Sequence, residues 1–447
     1  MEKDRRTIAA VATAQGTGGI AVIRISGPEA LSVLKGAFSH RGKYESHRMY
    51  YGFVLDENGA KLDEAMAVYM KAPRSYTAED VAEIQCHGGS VAAERTLNAV
   101  LCRGARLAEP GEFTKRAFLN GRIDLTQAEA VMQLISAGSE AAARAGMRQL
   151  TGGVSAKIRP ILDDLTGIRA LIEASDDFPE EIDEESGSVE TRRRLLDVRA
   201  RIAELCDERA ARIVRRGSCV VLAGRPNVGK SSLMNRLLGT ERAIVTDVPG
   251  TTRDAVSAHL TINGVDVELT DTAGRRDTED AVEKIGVERA KQAAEQADLA
   301  LLVLDDTAGI TDEDRAMLES ADERWAVCVN KRDLSEKIHT EFICREYAVP
   351  VIAVSASTGA GIDLLKALIA DRVCPAEPPL VAQRHIEAAK RALSALDEAL
   401  ASLDSGFPMD VCAVNAAQAL DALGEITGEN LREAVIDRVF RDFCVGK

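Results

Sequence analysis

The stretch Gly224-Arg225-Pro226-Asn227-Val228-Gly229-Lys230-Ser231-Ser232 constrains this 447-residue chain more than any other. It fits G-x-x-x-x-G-K-[ST], the pattern of a loop that wraps phosphate oxygens. A short apolar run, Cys219 to Ala223, precedes it, and Ser232 to Leu238 reads as a helix. Strand, loop and helix are the context the pattern needs. Gly224 and Gly229 bring the backbone close, successive N–H groups point into the concavity, and the helix N-terminus adds partial positive charge. Lys230 then reaches the β and γ phosphates, and the Ser231 hydroxyl ligates Mg²⁺. The alternative for such a stretch alone is a plain glycine-rich turn.

Four downstream pieces sharpen nucleotide to guanine nucleotide. Asp271-Thr272-Ala273-Gly274 follows the apolar strand Val265 to Leu269, which sets a carboxylate at a strand end near the metal. Asn330-Lys331-Arg332-Asp333 follows the strand Trp325 to Val329. Asp333 there accepts from both guanine N–H donors, a pattern adenine lacks. Ser355-Ala356-Ser357 follows Val349 to Val354 and meets the base from its other side. Thr251-Thr252 lies in a polar loop, where Thr252 completes the Mg²⁺ shell and senses the γ-phosphate. In this order, at strand ends, these pieces resemble a Ras-like GTPase domain. Gly250-Thr251-Thr252-Arg253-Asp254 narrows the resemblance to the bacterial GTPases of tRNA modification and ribosome assembly. Arg275 stands where Ras-type switches carry a water-orienting glutamine, so hydrolysis needs another group.

The chain is long enough for about three domains. Net charge is −15. That argues against a whole surface built for nucleic acid and leaves room for a local basic patch. Nine cysteines lie scattered with no C-x-x-C, as expected of a reducing, cytoplasmic protein. No targeting segment is expected, and no apolar run approaches the roughly 18 residues of a membrane span.

Residues 1 to 118 read as an α+β domain: strands at Ile8 to Thr13, Ile20 to Ser26, Tyr50 to Leu55, Ala65 to Met70 and Val81 to Gln85, with helices at Glu29 to Phe38 and Val91 to Leu107. Arg24 and Glu83 are charges on apolar strands, and the residues alone favour pairing over catalysis. Gln85-Cys86-His87-Gly88-Gly89 reads as a turn, since no further metal ligands stand near.

Thr7-Ile8-Ala9-Ala10, Arg24-Ile25-Ser26-Gly27, Ser75-Tyr76-Thr77, Gln85-Cys86-His87-Gly88-Gly89 and the block Pro110 to Gly121 closely resemble the MnmE (TrmE) family of tRNA-modification GTPases, and the similarity runs over essentially the whole chain. The resemblance implies an N-terminal folate-binding domain that dimerises and holds 5-formyl- or 5,10-methylene-tetrahydrofolate. Its contacts fall on Arg24, Glu83, Arg122 and Lys447. Arg122 replaces what is often Lys, keeping the charge but changing a point into a planar fork.

From Asp124 the apolar spacing turns helical: Leu125, Ala128, Val131, Met132, Ile135. Alanine-rich helix continues through Arg144 to Leu150, and another runs from about Ser155 to Glu173. The acidic run 176–185 and Ser186-Gly187-Ser188 read as a solvated loop. The arginine-rich Arg192 to Arg216 reads as one exposed amphipathic helix with i,i+4 pairs, a tRNA-facing role being the second reading. Helices resume at Val381 to Leu403, Val411 to Ile426 and Asn430 to Phe443. The expected organisation is therefore an α+β folate-binding domain at 1–118, an all-α helical domain at 119–214 and 375–447, and a Ras-like α/β P-loop GTPase domain inserted at 215–374.

The resemblance implies more. The GTP set is Asn227, Val228, Gly229, Lys230, Ser231, Ser232, Thr246, Thr251, Thr252, Asp271, Thr272, Ala273, Gly274, Asn330, Lys331, Asp333, Ser355, Ala356 and Ser357. Asn227, Thr246, Val248 and Thr251 match a K⁺ cage, whose cation replaces the charge of an arginine finger. Glu283 matches the family's catalytic glutamate, and Cys444 a thiol needed for modification but not for GTP hydrolysis. Taken alone, Asn227 is a turn residue, Glu283 a surface carboxylate and Cys444 a free thiol.

The function expected from all this is a K⁺- and Mg²⁺-dependent, dimerisation-activated GTPase. With an MnmG/GidA-type partner that uses FAD and NADH, in a heterotetramer or larger complex, it would install an aminomethyl-type group at C5 of the tRNA wobble uridine. A ribosome-assembly GTPase switch is the first rival, and a GTP-regulated folate-dependent methyltransferase acting alone the second. The first rival lacks support in the absence of a basic RNA-binding module or a second GTPase domain.

Overall fold

The computed structural model describes residues 6–14, 16–177, 184–239, 256–271, 294, 297–373, 377–429, 439–441, 443 and 446. The chain divides into two compact units: Met1–Met132 with Gln149–Asp163 and Leu420–Lys447, and Gln133–Arg148 with Asp164–Ala419.

The first unit starts with β1 (Ile8–Val11), β2 (Ile20–Ser26), α1 (Ala30–Ala37), β3 (Met49–Leu55), β4 (Lys61–Met70), β5 (Val81–His87), α2 (Ser90–Leu101), β6 (Arg106–Leu107) and α3 (Glu112–Leu119). The strands form one sheet in the order β3-β4-β5-β2-β1-β6. It is antiparallel except where β6 runs parallel to β1. Strand alternation divides its faces. Ile23, Ile25 and Ile84 are buried with Val33, Leu34 and Val100 of α1 and α2. Ile8 and Ala10 turn the other way, onto Phe113 of α3 and Tyr76. Arg24 stands directly opposite Ala10 and Glu83 in the ladder.

Two local expectations change here. Val91 to Leu107 is not one helix: α2 stops at Leu101, and Arg106-Leu107 leave it to join β1. The main-chain bonds Arg106 N to Thr7 O (2.9 Å) and Ala108 N to Ala9 O (3.0 Å) extend the sheet instead. Nor is Gln85 to Gly89 all turn. The strand runs to His87, whose N–H donates to Asp63 Oδ2 at 2.9 Å, and the turn begins at Gly88.

The helices are α4 (Leu125–Ile135), α5 (Glu140–Leu150), α6 (Gly153–Asp177), α7 (Glu184–Leu205) and α8 (Glu208–Arg216). Within the first unit, Phe440 and Phe443 bury against Ala117, Leu125 and Ala128. The helix expected to continue through Leu150 is broken between Ile135 and Glu140, and of the loop expected at 176–188, Asp176-Asp177 end α6, Glu184 to Ser188 lie inside α7, and 178–183 lie outside the described residues. The expected single helix Arg192 to Arg216 is two, because the Asp207 carboxylate accepts from Ala210 N at 2.8 Å and starts α8.

The second unit is built on β7 (Ser218–Ala223), α9 (Lys230–Gly239), β8 (Val256–Ile262), β9 (Val265–Asp271), β10 (Leu299–Asp305), α10 (Asp312–Glu319), β11 (Trp325–Asn330), α11 (Thr340–Tyr347), β12 (Val351–Ala353) and α12 (Ile362–Val373). Strand order is β12-β11-β10-β7-β9-β8, parallel except for the β8–β9 hairpin turning at Asn263-Gly264. The central strands are continuous apolar runs, as a sheet covered on both faces requires. One core lies on each face, around Leu233, Leu269 and Leu365 and around Leu302, Met317 and Ile343.

The chain continues into α13 (Gln383–Asp404) and α14 (Met409–Thr427). Arg192–Asp404, Arg199–Asp397 and Glu208–Lys390 ion pairs run in opposite sequence directions, so α7 and α13 are antiparallel. Leu195, Val198, Ile202 and Leu205 make the buried stripe of α7. These exposed pairs contribute only about 0–1 kcal/mol each, so the stripe holds the helices together. The α7 arginines are spent on such pairs: Arg193 and Arg194 on Glu190, and Arg201 on Asp197 and Asp164.

Candidate functional site

The loop 224–229 leaves the carboxyl end of β7 and enters α9 at Lys230, so the first N–H groups of the helix face the concavity of the loop. Gly229 has φ +99°, and a side chain there would collide with the Asn330 carboxamide, so only glycine fits. Lys230 is buried, and its Nζ donates to the carbonyls of Gly224 (2.6 Å) and Arg225 (2.8 Å). Burial lowers its pKa, and the charge of Asp271 opposes that. A phosphate offers better acceptors than two neutral carbonyls, because its oxygens are charged. The Ser231 hydroxyl donates to Asp271 Oδ2 at 3.0 Å. A hydroxyl and a carboxylate in contact, both hard oxygen donors beside a phosphate loop, fit Mg²⁺. Ser232, the next residue of α9, is exposed.

One side chain joins three loops. Asn330, at the end of β11, donates from Nδ2 to Val228 O (3.0 Å) and accepts at Oδ1 from Ala356 N (3.0 Å). Lys331 adopts the left-handed φ of +65°, and its Nζ reaches Asn227 O (3.1 Å) and Asp305 Oδ2 (2.6 Å). Asn227 is itself left-handed at φ +63°. Asp333 accepts from Ser357 Oγ at 3.0 Å, and the Ser355 and Ser357 hydroxyls hold its carboxyl below the usual range. Asp333, Ser355, Ala356 and Ser357 thus sit together beside the loop, as a base-reading edge requires.

A second polar cluster lies in the first unit, on the sheet face that carries Ala10. Arg24 Nε pairs with Glu83 Oε1 at 2.8 Å, both side chains being 17% exposed. The Arg24 guanidinium lies 5.0 Å from the Tyr76 ring centre and 5.8 Å from that of Phe113. Arg122 covers the same Tyr76 ring at 5.1 Å and donates to Tyr76 O at 2.8 Å. Arg24 Nη1 also reaches Gly446 O at 3.4 Å. Gly446 has φ +99°, and a Cβ there would collide with the Val11 carbonyl oxygen, so the glycine lies flat against β1. Pairing, the reading favoured by the residues alone, is therefore present. The arrangement also leaves two guanidiniums, a carboxylate and an aromatic face together, a donor and acceptor set that fits a pterin with an acidic tail.

Thr246, Val248, Thr251, Thr252, Thr272, Ala273, Gly274, Glu283, Cys444 and Lys447 lie outside the described residues. Sequence reasoning gave no role to Tyr76, Phe113, Asp305 or the Gly446 carbonyl. Asp305 had a signal, as an acid closing the apolar strand β10 next to the Asn330-Lys331 strand. Tyr76 and Phe113 lay in the stretches Ser75-Tyr76-Thr77 and Pro110 to Gly121 that carried the family resemblance, but nothing in the sequence joined them to Arg24, because their neighbours are far away in the chain.

A strand–loop–helix phosphate cradle on a parallel sheet, bordered by Asn330-Lys331-Arg332-Asp333, defines the class: a P-loop GTPase fold, here joined to a mixed α+β sheet and a set of helices. Family models for the GTP-binding protein TrmE N-terminus and the MnmE helical domain match residues 7–122 and 125–444. The tRNA modification GTPases MnmE of Heliobacterium modesticaldum and Moorella thermoacetica are each 44% identical over 99% of this chain and 99% of theirs. That of Symbiobacterium thermophilum is 45% identical over the same shares. Among solved structures, the G domain of the T. maritima FeoB iron transporter is 28% identical, covering 35% of this chain and 98% of its own, at a TM-score of 0.28. The chain belongs to the MnmE family of tRNA modification GTPases.

Proposed function

We propose that this chain hydrolyses GTP with Mg²⁺ and K⁺ as a homodimer and, with an FAD- and NADH-using partner, modifies C5 of the wobble uridine of tRNA by means of a tetrahydrofolate one-carbon unit. The observation that carries the nucleotide half is the joint placement of Lys230, the Ser231–Asp271 contact and the Asn330 latch around one loop. The Arg24–Glu83–Tyr76–Arg122 cluster supports the folate half. We further propose the division 1–118, 119–214, 215–374 and 375–447, with the third segment as the GTPase domain.

In this reading Asp333 and Ser355-Ala356-Ser357 select guanine, Lys331 covers the base, and Lys230 holds the β and γ phosphates. Ser231 with Asp271 and Thr252 would hold Mg²⁺, which supplies charge neutralisation at the phosphates. Asn227, Thr246, Val248 and Thr251 would hold K⁺, and Glu283 would orient the attacking water. Arg24 and Arg122 would take the acidic tail of the folate and Glu83 its ring N–H donors, with Lys447 as a further folate contact. The folate supplies the one-carbon unit. Cys444 would serve the modification and not the hydrolysis.

The test is GTP turnover in K⁺ and in Na⁺ at equal ionic strength, with Glu283→Ala alongside. Faster hydrolysis in K⁺, and a kcat that falls far more in the variant than GTP affinity does, are expected. Equal rates in the two salts would remove the cation cage, and unchanged turnover in the variant would remove Glu283. Loss of tRNA modification when the flavin partner is withheld separates the reading from a methyltransferase acting alone.

A further inference from the structure

We infer that Arg236 is a specificity-determining positioning residue for the guanine base, although its side chain lies on the helix that follows the phosphate loop. The inference rests on the guanine-nucleotide reading above and adds to it the group that fixes the base-reading loop.

Arg236 lies on the second turn of α9. Its Nε donates to Ala356 O at 2.8 Å, and its Nη2 donates to the next carbonyl, Ser357 O. A guanidinium presents its donors in one rigid plane, so a fork on two successive carbonyls fixes both peptide planes at once. A trans peptide directs its N–H opposite to its C=O. The clamp on Ala356 O therefore turns the Ser357 N–H away from α9, and the clamp on Ser357 O does the same for the Thr358 N–H. The latter ends on Ser355 Oγ at 3.1 Å. Ser355 Oγ lies 3.0 Å from Ser357 Oγ, and Ser357 Oγ donates to Asp333 Oδ2 at 3.0 Å. A continuous set of hydrogen bonds thus runs from Arg236 through the loop to the carboxylate that reads the base.

The far side of this loop is held separately, by Ala356 N on Asn330 Oδ1. Without Arg236 the loop keeps that bond and loses its grip on α9. Ser355 stays held by its own main-chain bonds to Ala360 O and from Gly359 N, but the Ser357 hydroxyl loses its fixed position, and Asp333 loses the partner that orients it. Asp333 discriminates by accepting from two donors of guanine, N1–H and the exocyclic amine. Hypoxanthine has only the first, so misdirecting the carboxylate penalises guanine more than hypoxanthine.

The experiment is calorimetric titration of the full-length wild-type chain, Arg236→Ala and Arg236→Lys with GDP and with inosine 5′-diphosphate, alongside thermal melting. The wild type is expected to prefer GDP. Arg236→Ala should lower the GDP-to-IDP affinity ratio by about tenfold, the scale of one hydrogen bond to a charged acceptor. Arg236→Lys should fall between, since one ammonium restores a donor without the planar fork. A ratio unchanged in Arg236→Ala, even with lower melting temperature or with both affinities reduced equally, would overturn the inference and leave Arg236 merely structural. A wild type that binds GDP and IDP equally would overturn the guanine reading itself, and this inference with it.

Discussion

The two polar sites are built from opposite materials. Around the phosphate loop, the main chain does most of the work: the carbonyls of Gly224, Arg225, Asn227, Val228, Ala356 and Ser357 all accept hydrogen bonds from side chains that converge there. Around Arg24, side chains do most of it, through an ion pair across two strands and an aromatic ring that two guanidiniums reach. A main-chain site needs special residues at fixed spacing, because the backbone must curve, and it therefore leaves a motif. A side-chain site on a sheet face needs only that each strand carry one suitable residue, and it leaves scattered letters.

Three substitutions test that contrast. Lys230→Ala should have the largest effect: GTP affinity falls about 100-fold, the scale of two charge-assisted hydrogen bonds to phosphate. Titration with GTP and separately with 5-formyltetrahydrofolate should find the loss confined to the nucleotide; a parallel loss of folate would mean that the sites are not separate. Arg24→Ala should come next, lowering 5-formyltetrahydrofolate affinity by about tenfold or more and leaving the Glu83 carboxylate without its partner, at a stability cost of about 1–3 kcal/mol. Retained folate binding would reduce the pair to a structural one. Gly446→Ala should be the smallest, a fall of a few-fold in folate affinity, since it disturbs the docking of the chain on β1 through about 1–3 kcal/mol of backbone strain. No change in that titration would show that the Gly446 carbonyl plays no part in the cluster.

The same contrast explains what the sequence made legible. The motif-bearing strands, the loop and its flanking helix followed from apolar runs ending in Gly224, Asp271, Asn330 and Ser355, whereas the order of the strands in the sheet and the central strand β10 did not. The α+β character of the first 118 residues was legible from alternation, but the end of α2 was not: Arg106-Leu107 are helix-compatible letters that the edge of β1 drew into the sheet. The break between α7 and α8 hinged on one capping carboxylate, Asp207, within an otherwise continuous helical pattern. Arg24 and Glu83 were legible as anomalies, two charges on apolar strands, whereas Tyr76 and Phe113 became part of their setting only when the register and α3 brought them over the same face.

Asn330 carries a consequence beyond binding. Its carboxamide donates to the Val228 carbonyl on one side and accepts from the Ala356 amide on the other, and its nitrogen occupies the space that a side chain at Gly229 would need. Three segments separated by about a hundred residues and by about twenty-five are thereby locked to a single shape. No one of them is at liberty to drift by itself. Loss of the Asn330 carboxamide would therefore release the phosphate loop and the loop at Ala356 together, not one of them alone.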